Sequence, residues 1–447
     1  MRITYVVHQF LPRFFTGTEQ YTYAIAQEAR RRGHDVDVFT LEPDFSEQDR
    51  LFEQHSDTID GLPVTRVRAW YHLDRDFERM EYRHPFLAER FRRHLEERRP
   101  DVVHVFHLRY LGVDLIAEAR ALRIPVVVHL MDFWFLCPAV VLRRPDGRLC
   151  DGPPDGGFGC VDCIRPDLGA EIDRHGLRES LARAQPCMPS GSSPRPGVAA
   201  RVATLTERPR ILRDALLRAQ RIVAPSHFLK SVFVRNGIPA ERIDVVTYGI
   251  DPSRIAAVEP RVRRTGADLQ VGFIGSIAEH KGTDLAVDAV ASSSGPLHLT
   301  VHGRVDGHDV WAKELASRAR SMPQVTFAGA FPREQLGRVL ASIDVLVVPS
   351  RWYENTPFVV LEAFAAQVPV LVADLGGLSE CVRDGIDGEL FRPGDVADLR
   401  TRLLRLAREP ERLATYRRNR PSVKSIATNG DEITAVYADA ISSPRQP

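Results

Sequence analysis

Two carboxylates eight residues apart, Glu354 and Glu362, flank the predicted start of a helix. The segment Asn355–Pro357 places a residue that can cap a helix before a proline, an order typical of a first helical turn. The N–H groups of a helix start attract anions, and each carboxylate can accept two hydroxyl hydrogen bonds. The pattern favours a site for a polyhydroxylated ligand. The alternative is a capping acid followed by an acid on the helix surface.

Lysine is rare in this chain, since only four of the 60 basic residues are lysines. One of them, Lys281, follows a predicted strand that ends in a turn at Gly275 and Ser276. A glycine in such a turn lets a ligand approach the backbone, and a lysine ammonium is a compact charge suited to a phosphate. We therefore predict that Lys281 contacts a phosphate, with a solvated lysine as the alternative.

Four of the six cysteines lie within 27 residues and end in a C-x-x-C pair. These four are Cys137, Cys150, Cys160 and Cys163. The segment around them is rich in Gly and Pro and offers little apolar material for a core, so a structural Zn²⁺ held by four thiolates would stabilise it. Free thiols and disulfides are the alternatives. Cys187 and Cys381 have no partner in the sequence pattern.

The composition limits the class of protein. A chain of 447 residues is too long for one core, and 60 basic against 59 acidic residues argue against a nucleic-acid-binding protein. No apolar run reaches the ~18 residues of a membrane span, and Met1–Val7 resembles a first strand rather than a signal peptide. A cytoplasmic protein is expected, in which disulfides are rare. The Arg-rich segment Arg210–Arg221 is interpreted as a solvated helix, with contact to a membrane surface as the alternative.

Strand-like and helix-like segments alternate along most of the chain, which predicts doubly wound parallel α/β sheets. In the first half the predicted strands are Arg2–His8, Asp35–Thr40, Val64–Arg68, Asp101–Phe106, Pro125–Met131, Arg221–Ala224 and Ile243–Thr247. In the second half they are Leu269–Ile274, Leu297–His302, Val325–Phe327, Asp344–Val348 and Val368–Ala373. The predicted boundaries are 1–250 for the first domain, 137–205 for an insertion in it, 251–268 for a linker, 269–415 for the second domain and 416–447 for a polar tail. Within the insertion, a stretch near 186–200 is expected to be mobile. Two such domains are expected to face each other across a cleft, with ligands at the carboxyl ends of the strands.

Several motifs occur together in each predicted domain. In the second domain they are Phe273–Gly282, Val347–Glu354 with Glu362, and Gly376–Glu380. In the first domain they are Gly17–Glu19, Arg32–Val38 and Val223–Ser226. Together these motifs resemble those of the retaining GT-B glycosyltransferases of family 4, the glycosyl transferases group 1. The resemblance covers most of residues 1–415 and implies the GT-B fold, with two facing Rossmann-like domains and an interdomain cleft.

The resemblance also implies an activity. It is the transfer of a sugar from a nucleotide-diphosphate sugar to an acceptor hydroxyl of a glycan, glycolipid or small molecule, with retained anomeric configuration and without a catalytic metal or other cofactor. Glu354 matches the acid that contacts the donor sugar, and Glu362 matches the acid that contacts the ribose. Lys281 matches the lysine that binds the diphosphate, where fixed positive charge would ease departure of the leaving group.

Further donor-site residues are implied by the same resemblance. Backbone N–H groups after Glu354 would help to hold the sugar and the diphosphate, although Pro357 lacks one. The residues implied in donor binding are Asn355, Thr356 and Phe358, Gly275 and Ser276 in the first turn of the second domain, and Gly17 in the first domain.

One departure from the family pattern concerns the diphosphate. Ser276 stands where the family commonly has an arginine, so a charge partner of the diphosphate is missing. Arg304 and Arg351 are the candidates to replace it.

A second departure lies in the first domain, where the family often has His-Asp after the fifth strand. Here Asp132 matches the aspartate and is an implied catalytic residue, but Met131 occupies the histidine position. His129 lies deeper in the predicted strand and is interpreted as a core histidine. The departures at Ser276 and Met131 favour, as an alternative, a degenerate member that binds a nucleotide sugar or serves as a scaffold subunit. A phosphorylase or epimerase of the same architecture is a further alternative.

Overall fold

The computed structural model describes residues 1–44, 53–70, 77–184, 197–253, 255, 259, 261 and 266–443. The chain divides into two compact units. The first comprises residues 1–225, 229–246 and those from Asn429 onward, and the second comprises 226–228 and 247–428. Cys187, most of the stretch 186–200 that was expected to be mobile, and part of the predicted linker 251–268 lie outside the described residues.

The first unit is built on an eight-stranded sheet. Its strands in chain order are β1 (Arg2–Val7), β2 (Asp35–Asp44), β3 (Gln54–Ile59), β4 (Leu62–Trp70), β5 (Val102–Val105), β6 (Val126–His129), β7 (Arg221–Ala224) and β8 (Ile243–Val245). They lie side by side in the order β3-β4-β2-β1-β5-β6-β7-β8. All neighbours are parallel except β3 and β4, which pair antiparallel at one edge. The valine-rich strands β5 and β6 are buried throughout, as expected for the centre of a parallel sheet.

Helices connect the parallel strands of the first unit. In chain order they are α1 (Gly17–Arg31), α2 (Phe77–Met80), α3 (Pro85–Arg98), α4 (Asp114–Ala121), α5 (Cys160–Ile164), α6 (Pro166–Arg174), α7 (Arg178–Ala184), α8 (Val198–Leu217) and α9 (His227–Arg235). The Arg-rich segment that begins at Arg210 is the second half of α8, where Leu212 and Leu216 are buried. Among the described residues no helix combines the length and the apolar character that a membrane span requires.

The insertion between β6 and β7 contains a small apolar core, which its composition did not predict. The core side chains are Phe158, Val161, Leu168, Ile172, Val202 and Leu205. They come from α5, α6, α8 and the turn before α5, so no single segment shows an apolar run. The segment that was expected to offer little apolar material therefore does form a core, but one of only these six buried side chains.

The second unit is built on a six-stranded sheet in which every neighbouring pair is parallel. Its strands are β9 (Leu269–Ile274), β10 (Leu297–His302), β11 (Val325–Phe327), β12 (Val345–Val348), β13 (Val370–Ala373) and β14 (Gly388–Phe391), in the order β11-β10-β9-β12-β13-β14. Its helices are α10 (Thr283–Ala291), α11 (Val310–Ala319), α12 (Leu336–Ala341), α13 (Phe358–Ala365), α14 (Gly377–Cys381), α15 (Val396–Arg408) and α16 (Pro410–Asn419). The loops after β9 and β12, two adjacent central strands, therefore emerge at the same edge of the sheet.

The end of the chain differs from the polar tail that the sequence predicted at 416–447. Most of helix α17 (Ile426–Ser442) belongs to the first unit. Ile433 and Tyr437, four residues apart on one helix face, are both 1% exposed. The Tyr437 hydroxyl is hydrogen-bonded to Nδ1 of His104 at 2.6 Å. A narrow apolar stripe is enough to bury one face of a helix even where the segment is polar overall.

The prediction of two parallel α/β sheets is confirmed. Two strands were missed for a physical reason. Strand β3 carries mostly exposed polar side chains at an antiparallel edge, and β14 is only four residues long. Neither carries the long apolar run that identifies a central parallel strand.

We predict that Tyr437→Ala destabilises the first unit, because it removes a buried ring and leaves His104 without this partner. The expected loss in free energy of unfolding is about 3 kcal/mol. It can be measured by urea unfolding, with hydrogen exchange in β1 and β5 reporting on the first unit. Ala435→Ser, at an exposed position of the same helix, is the control. Equal midpoints for the two variants would contradict the packing of α17 described here.

Candidate active site

Glu354 lies in the loop after β12, at the carboxyl end of a buried strand. Although it is a carboxylate, this residue is only 6% exposed. Its Oε1 atom accepts three hydrogen bonds, from Lys281 Nζ at 2.8 Å, Ser350 Oγ at 2.7 Å and Trp352 Nε1 at 2.8 Å. The Lys281 ammonium also lies 4.8 Å from the centre of the Trp352 ring. The structure thus brings Glu354 and Lys281 into direct contact.

The charge state of Glu354 follows from this environment. Burial by itself raises the pKa of the carboxyl, because it disfavours the charged form. The charge of Lys281 and the hydrogen bonds from Lys281, Ser350 and Trp352 outweigh that effect, so the pKa of Glu354 lies below its ordinary value. The site therefore holds an ionised carboxylate and a lysine side by side at neutral pH.

Gly282 allows Lys281 to reach this position. Lys281 ends a short 3-10 turn, Glu279–Lys281, that follows β9, and Gly282 next to it has φ +68°. A Cβ atom at Gly282 would lie 1.9 Å from the carbonyl oxygen of Pro349. Only glycine fits both the left-handed backbone and this close approach. The turn after β9 is thereby packed directly against the end of β12.

The backbone after Glu354 is held by a second glycine turn. The N–H of Gly377 donates to the carbonyl oxygen of Glu354 at 2.8 Å, and a Cβ on Gly377 would lie 1.5 Å from the carbonyl oxygen of Asn355. The Asn355 side chain accepts a hydrogen bond from Ser226 Oγ at 3.2 Å. Helix α13 begins at Phe358, directly after the Asn355–Pro357 segment, and its N-cap is Pro357 rather than Asn355.

The two remaining residues assigned to this stretch, Thr356 and Phe358, are half-buried. The Phe358 ring stacks on Tyr248 with a centroid distance of 4.7 Å. Together with Asn355, these residues form the backbone that joins Glu354 to the start of α13.

Glu362 has a partner that the sequence did not indicate. It lies in α13, is 3% exposed, and forms an ion pair with the guanidinium of Arg333. Arg333 belongs to a short 3-10 turn that precedes α12 and is half exposed. An arginine that is one of many in this chain gives no sequence pattern that could single it out. Glu362 thus lies within α13, eight residues after Glu354, and its ion-pair partner is Arg333 rather than Lys281.

Ser276 and the two candidate replacements for the missing arginine lie in different surroundings. Ser276 is exposed in the turn after β9. In the same turn, the carbonyl oxygen of Gly275 would be 2.1 Å from a Cβ on Gly303. Arg351 makes a two-pronged ion pair with Asp284 at 2.6 Å, so its guanidinium is already committed. Arg304 is exposed and lines a cavity of about 590 Å³ beside Gly303.

In the first unit, Gly17 is the first residue of α1, and Thr16 and Glu19 on either side of it form a capping box. Glu19 Oε2 accepts hydrogen bonds from the backbone N–H of Thr16 at 2.7 Å and from its Oγ1 at 2.6 Å. Glu19 is fully buried and also accepts a hydrogen bond from Gln9 at 3.0 Å. This acid stabilises the helix start, and Gly17 lies at that start.

Asp132 follows β6, and its partner is a histidine that the sequence analysis missed. Its Oδ2 atom is 3.0 Å from Nε2 of His107, and its Oδ1 atom accepts the backbone N–H of Trp134 at 2.8 Å. His107 follows β5, the strand beside β6. An imidazole is therefore present next to Asp132, although Met131 occupies the family's histidine position.

The other histidines of this sheet have distinct roles. The His8 ring, after β1, lies 4.1 Å from the His107 ring, and burial together with the charges on His107 and Arg109 holds the pKa of His8 well below its ordinary value. His129 is fully buried beside His104, and burial lowers its pKa to about 3. His129 is thus an uncharged core residue, as the strand pattern indicated.

The four clustered cysteines line one cavity in the insertion. None of the five cysteines within the described ranges is in a disulfide. Among those same residues, no group of three or more His, Cys, Asp or Glu side chains is arranged to hold a metal ion. The predicted zinc site is therefore not preformed, although its four thiols are brought together.

We predict that Glu354 contributes stability that depends on pH. Its folded-state pKa lies below the ordinary value of 4.5, so the contribution is fully present above pH 4.5 and is lost as the pH falls through the folded pKa. The difference in free energy of unfolding between the wild type and Glu354→Gln should shrink as the pH is lowered from 7 to 3, measured by urea unfolding. A difference that stays constant over this range would contradict the pairing with Lys281.

Comparison with known sequences supports both units. Residues 16–155 match a family model described as glycosyl transferase 4-like domain, and residues 268–409 match one described as glycosyl transferases group 1. The D-inositol 3-phosphate glycosyltransferase of Nocardia farcinica is 34% identical over 216 residues, which cover 45% of this chain and 48% of that protein. The enzyme of the same name from Stackebrandtia nassauensis is 29% identical over 262 residues, covering 51% and 58%. The chain spans about half the length of the curated relatives it matches.

Comparison with solved structures supports the fold along the whole chain. Sucrose-phosphate synthase from Thermosynechococcus elongatus superposes with a TM-score of 0.68 at 14% identity, over 99% of this chain and 100% of that one. Anabaena Alr3699/HepE, in complex with UDP and glucose, superposes with a TM-score of 0.63 at 17% identity, over 98% and 99%. At such identities the likeness shows the fold, which is that of the GT-B glycosyltransferases.

The two matched segments together cover more than half of the chain and fall one in each unit. The chain belongs to the GT-B glycosyltransferases of family 4, the glycosyl transferases group 1.

Proposed function

We propose that this protein transfers a sugar from a nucleotide-diphosphate sugar to an acceptor hydroxyl, with retention of the anomeric configuration and without a catalytic metal. The observation that carries the proposal is the ionised Glu354 paired with Lys281 after two adjacent strands, β9 and β12. Ligands of parallel sheets bind at this edge. A structural relative, Anabaena Alr3699/HepE, has been solved in complex with UDP-glucose.

The Glu354–Lys281 pair supplies two complementary functions. An ammonium has three N–H donors, and one of those on Lys281 is used by Glu354, so others remain for phosphate oxygens. Glu354 Oε1 already accepts three hydrogen bonds, which leaves Oε2 to accept hydroxyl groups of the sugar. The pair would thus orient the sugar and the diphosphate on either side of the bond that breaks.

The transfer needs no covalent bond to the protein. The bond between the anomeric carbon and the diphosphate oxygen breaks, and its electron pair stays on the diphosphate. The acceptor oxygen bonds to the anomeric carbon on the same face, and its proton passes to an oxygen of the leaving diphosphate. Lys281 stabilises the charge that develops there. Glu354, whose negative charge is balanced by Lys281 and whose Oε1 accepts three hydrogen bonds, would bind the sugar rather than attack it.

Glu362 and Asp132 complete the assignment. We assign Glu362 to the ribose, whose hydroxyls would share this carboxylate with Arg333. Asp132, oriented by His107, is assigned to the acceptor step in the first unit. Asn355, Thr356 and Phe358, with Gly275, Ser276 and Gly17, remain proposed donor-binding positions.

A donor screen tests this proposal. Wild-type protein is incubated with UDP-, GDP-, ADP- and dTDP-sugars, and release of the free nucleoside diphosphate is measured. One nucleotide class should support turnover. With that donor, Lys281→Ala and Glu354→Gln should each lower kcat/KM by on the order of 10²–10³, because each removes a charge at the reacting group. The product's anomeric configuration, read by NMR, should match that of the donor.

Matched controls separate site effects from general damage. Lys313→Ala and Glu314→Gln change exposed residues of the same types on α11 and should leave turnover unchanged. Full turnover by Lys281→Ala and Glu354→Gln would refute the site assignment, and an inverted product would refute retention. Tight binding of one donor with no turnover would favour the nucleotide-sugar-binding subunit, consistent with the exposed Ser276 in place of arginine.

A further inference from the structure

The insertion between β6 and β7 brings four thiols to one place. Cys137, Cys150, Cys160 and Cys163 all line a cavity of about 20 Å³. A cavity of this size has room for about one water molecule, and hence for a single ion. Apart from Arg143 and Arg144, its other lining residues are apolar: Leu, Ile, Pro and Gly. A small apolar cavity lined by four thiols suits an ion with soft sulfur ligands better than it suits water.

Three separate backbone segments deliver these thiols. The turn after β6 carries Cys137, whose N–H donates to the carbonyl of Phe133 at 2.7 Å. A short hairpin then returns the chain, and the N–H of Cys150 donates to the carbonyl of Leu142 at 2.8 Å. Cys160 and Cys163 lie one turn apart on α5 and therefore share a helix face. The arrangement depends on backbone hydrogen bonds, not on the sulfurs themselves.

Burial raises the pKa of the Cys137, Cys160 and Cys163 thiols, so these thiols are protonated unless a cation binds beside them. The backbone N–H groups of Ala139 and Leu142 donate to the sulfur of Cys137, as donors that stabilise a metal-bound thiolate do. Arg143 and Arg144 line the cavity, and the charge of Arg208 acts on both Cys137 and Cys160. Four thiolates around a divalent ion carry net negative charge, which these guanidinium groups offset.

We propose that Cys137, Cys150, Cys160 and Cys163 bind one Zn²⁺ as a structural site. A C-x-x-C pair and two further cysteines supply four thiolates, which select tetrahedral zinc over cations that prefer oxygen ligands. The insertion has a core of six buried apolar side chains, too few to stabilise so long a segment, and metal binding would supply the missing folding free energy.

In this structure the four thiols do not have the positions of zinc ligands. In the part of the chain that is described, no three such side chains stand at metal-binding positions, and the Sγ of Cys150 donates to the carbonyl of Gly152 at 2.9 Å. Zinc binding therefore requires all four thiols to release their protons to solvent and Cys150 to give up this hydrogen bond.

Metal analysis of the full-length protein, purified without a polyhistidine tag, tests the proposal. Wild type should contain about one zinc per chain, and titration with a mercurial reagent should release it. Cys163→Ser and Cys150→Ser should contain less than about a fifth of that amount. Cys381→Ser, which removes a cysteine outside the cluster, should retain all of it. These readouts are independent of glycosyl transfer.

A measurement on the wild type alone tests the proposal even where the cysteine variants fail to fold. Wild type stripped of metal and loaded with Co²⁺ should show the strong visible absorption of a tetrahedral thiolate complex. Far less than one zinc per wild-type chain together with no such Co²⁺ spectrum would overturn the proposal. So would disulfides among these four cysteines in non-reducing mass spectrometry, or loss of zinc in Cys381→Ser equal to that in Cys163→Ser.

Discussion

A buried carboxylate must be matched by donors, and Glu354 imposes that requirement on the second unit. Removing one partner of a buried ion pair costs about 3–5 kcal/mol, because the remaining charge is left uncompensated. The donors come from the turn after β9 and from the end of β12, so the two loops must meet. Gly282 allows the two loops to come into contact, because any side chain at this position would overlap the Pro349 carbonyl oxygen.

The same requirement connects stability to chemistry. A carboxylate kept ionised inside the protein, beside a lysine, is prepared to bind a polar ligand without reorganising. Gly377 supports the Glu354 carbonyl from the other side and leaves no space for a side chain. Glu354, Lys281 and Gly377 are therefore required both for the packing of these loops and for the proposed ligand contacts.

Much of this could be predicted from the sequence, for identifiable reasons. Central parallel strands are apolar runs, and β7, β9, β10 and β11 have the predicted bounds. The scarcity of lysine singled out Lys281, and the spacing of two acids singled out Glu354. In each of these cases the information is local, within one strand and the turn that follows it.

What was missed depends on contacts between distant parts of the chain. His107 meets Asp132 only because β5 and β6 are neighbours in the sheet. Arg333 reaches Glu362 from a turn 29 residues earlier, and nothing distinguishes it from the other arginines of the sequence. The burial of helix α17 also depends on distant contacts, since Tyr437 is hydrogen-bonded to His104, a residue 333 positions earlier in the chain. Such pairs become visible only when the strand order is known.

Lys281 and Glu354 are proposed to bind the diphosphate and the sugar of the donor, respectively. The most direct measurement is calorimetry with a nucleoside diphosphate and its parent nucleoside, on wild type and Lys281→Ala. A charge-assisted phosphate contact corresponds to about 1.5–3 kcal/mol, so the variant should bind the diphosphate on the order of 10–100 times more weakly and the nucleoside equally well. Unchanged diphosphate affinity, or an equal loss for both ligands, would contradict this assignment.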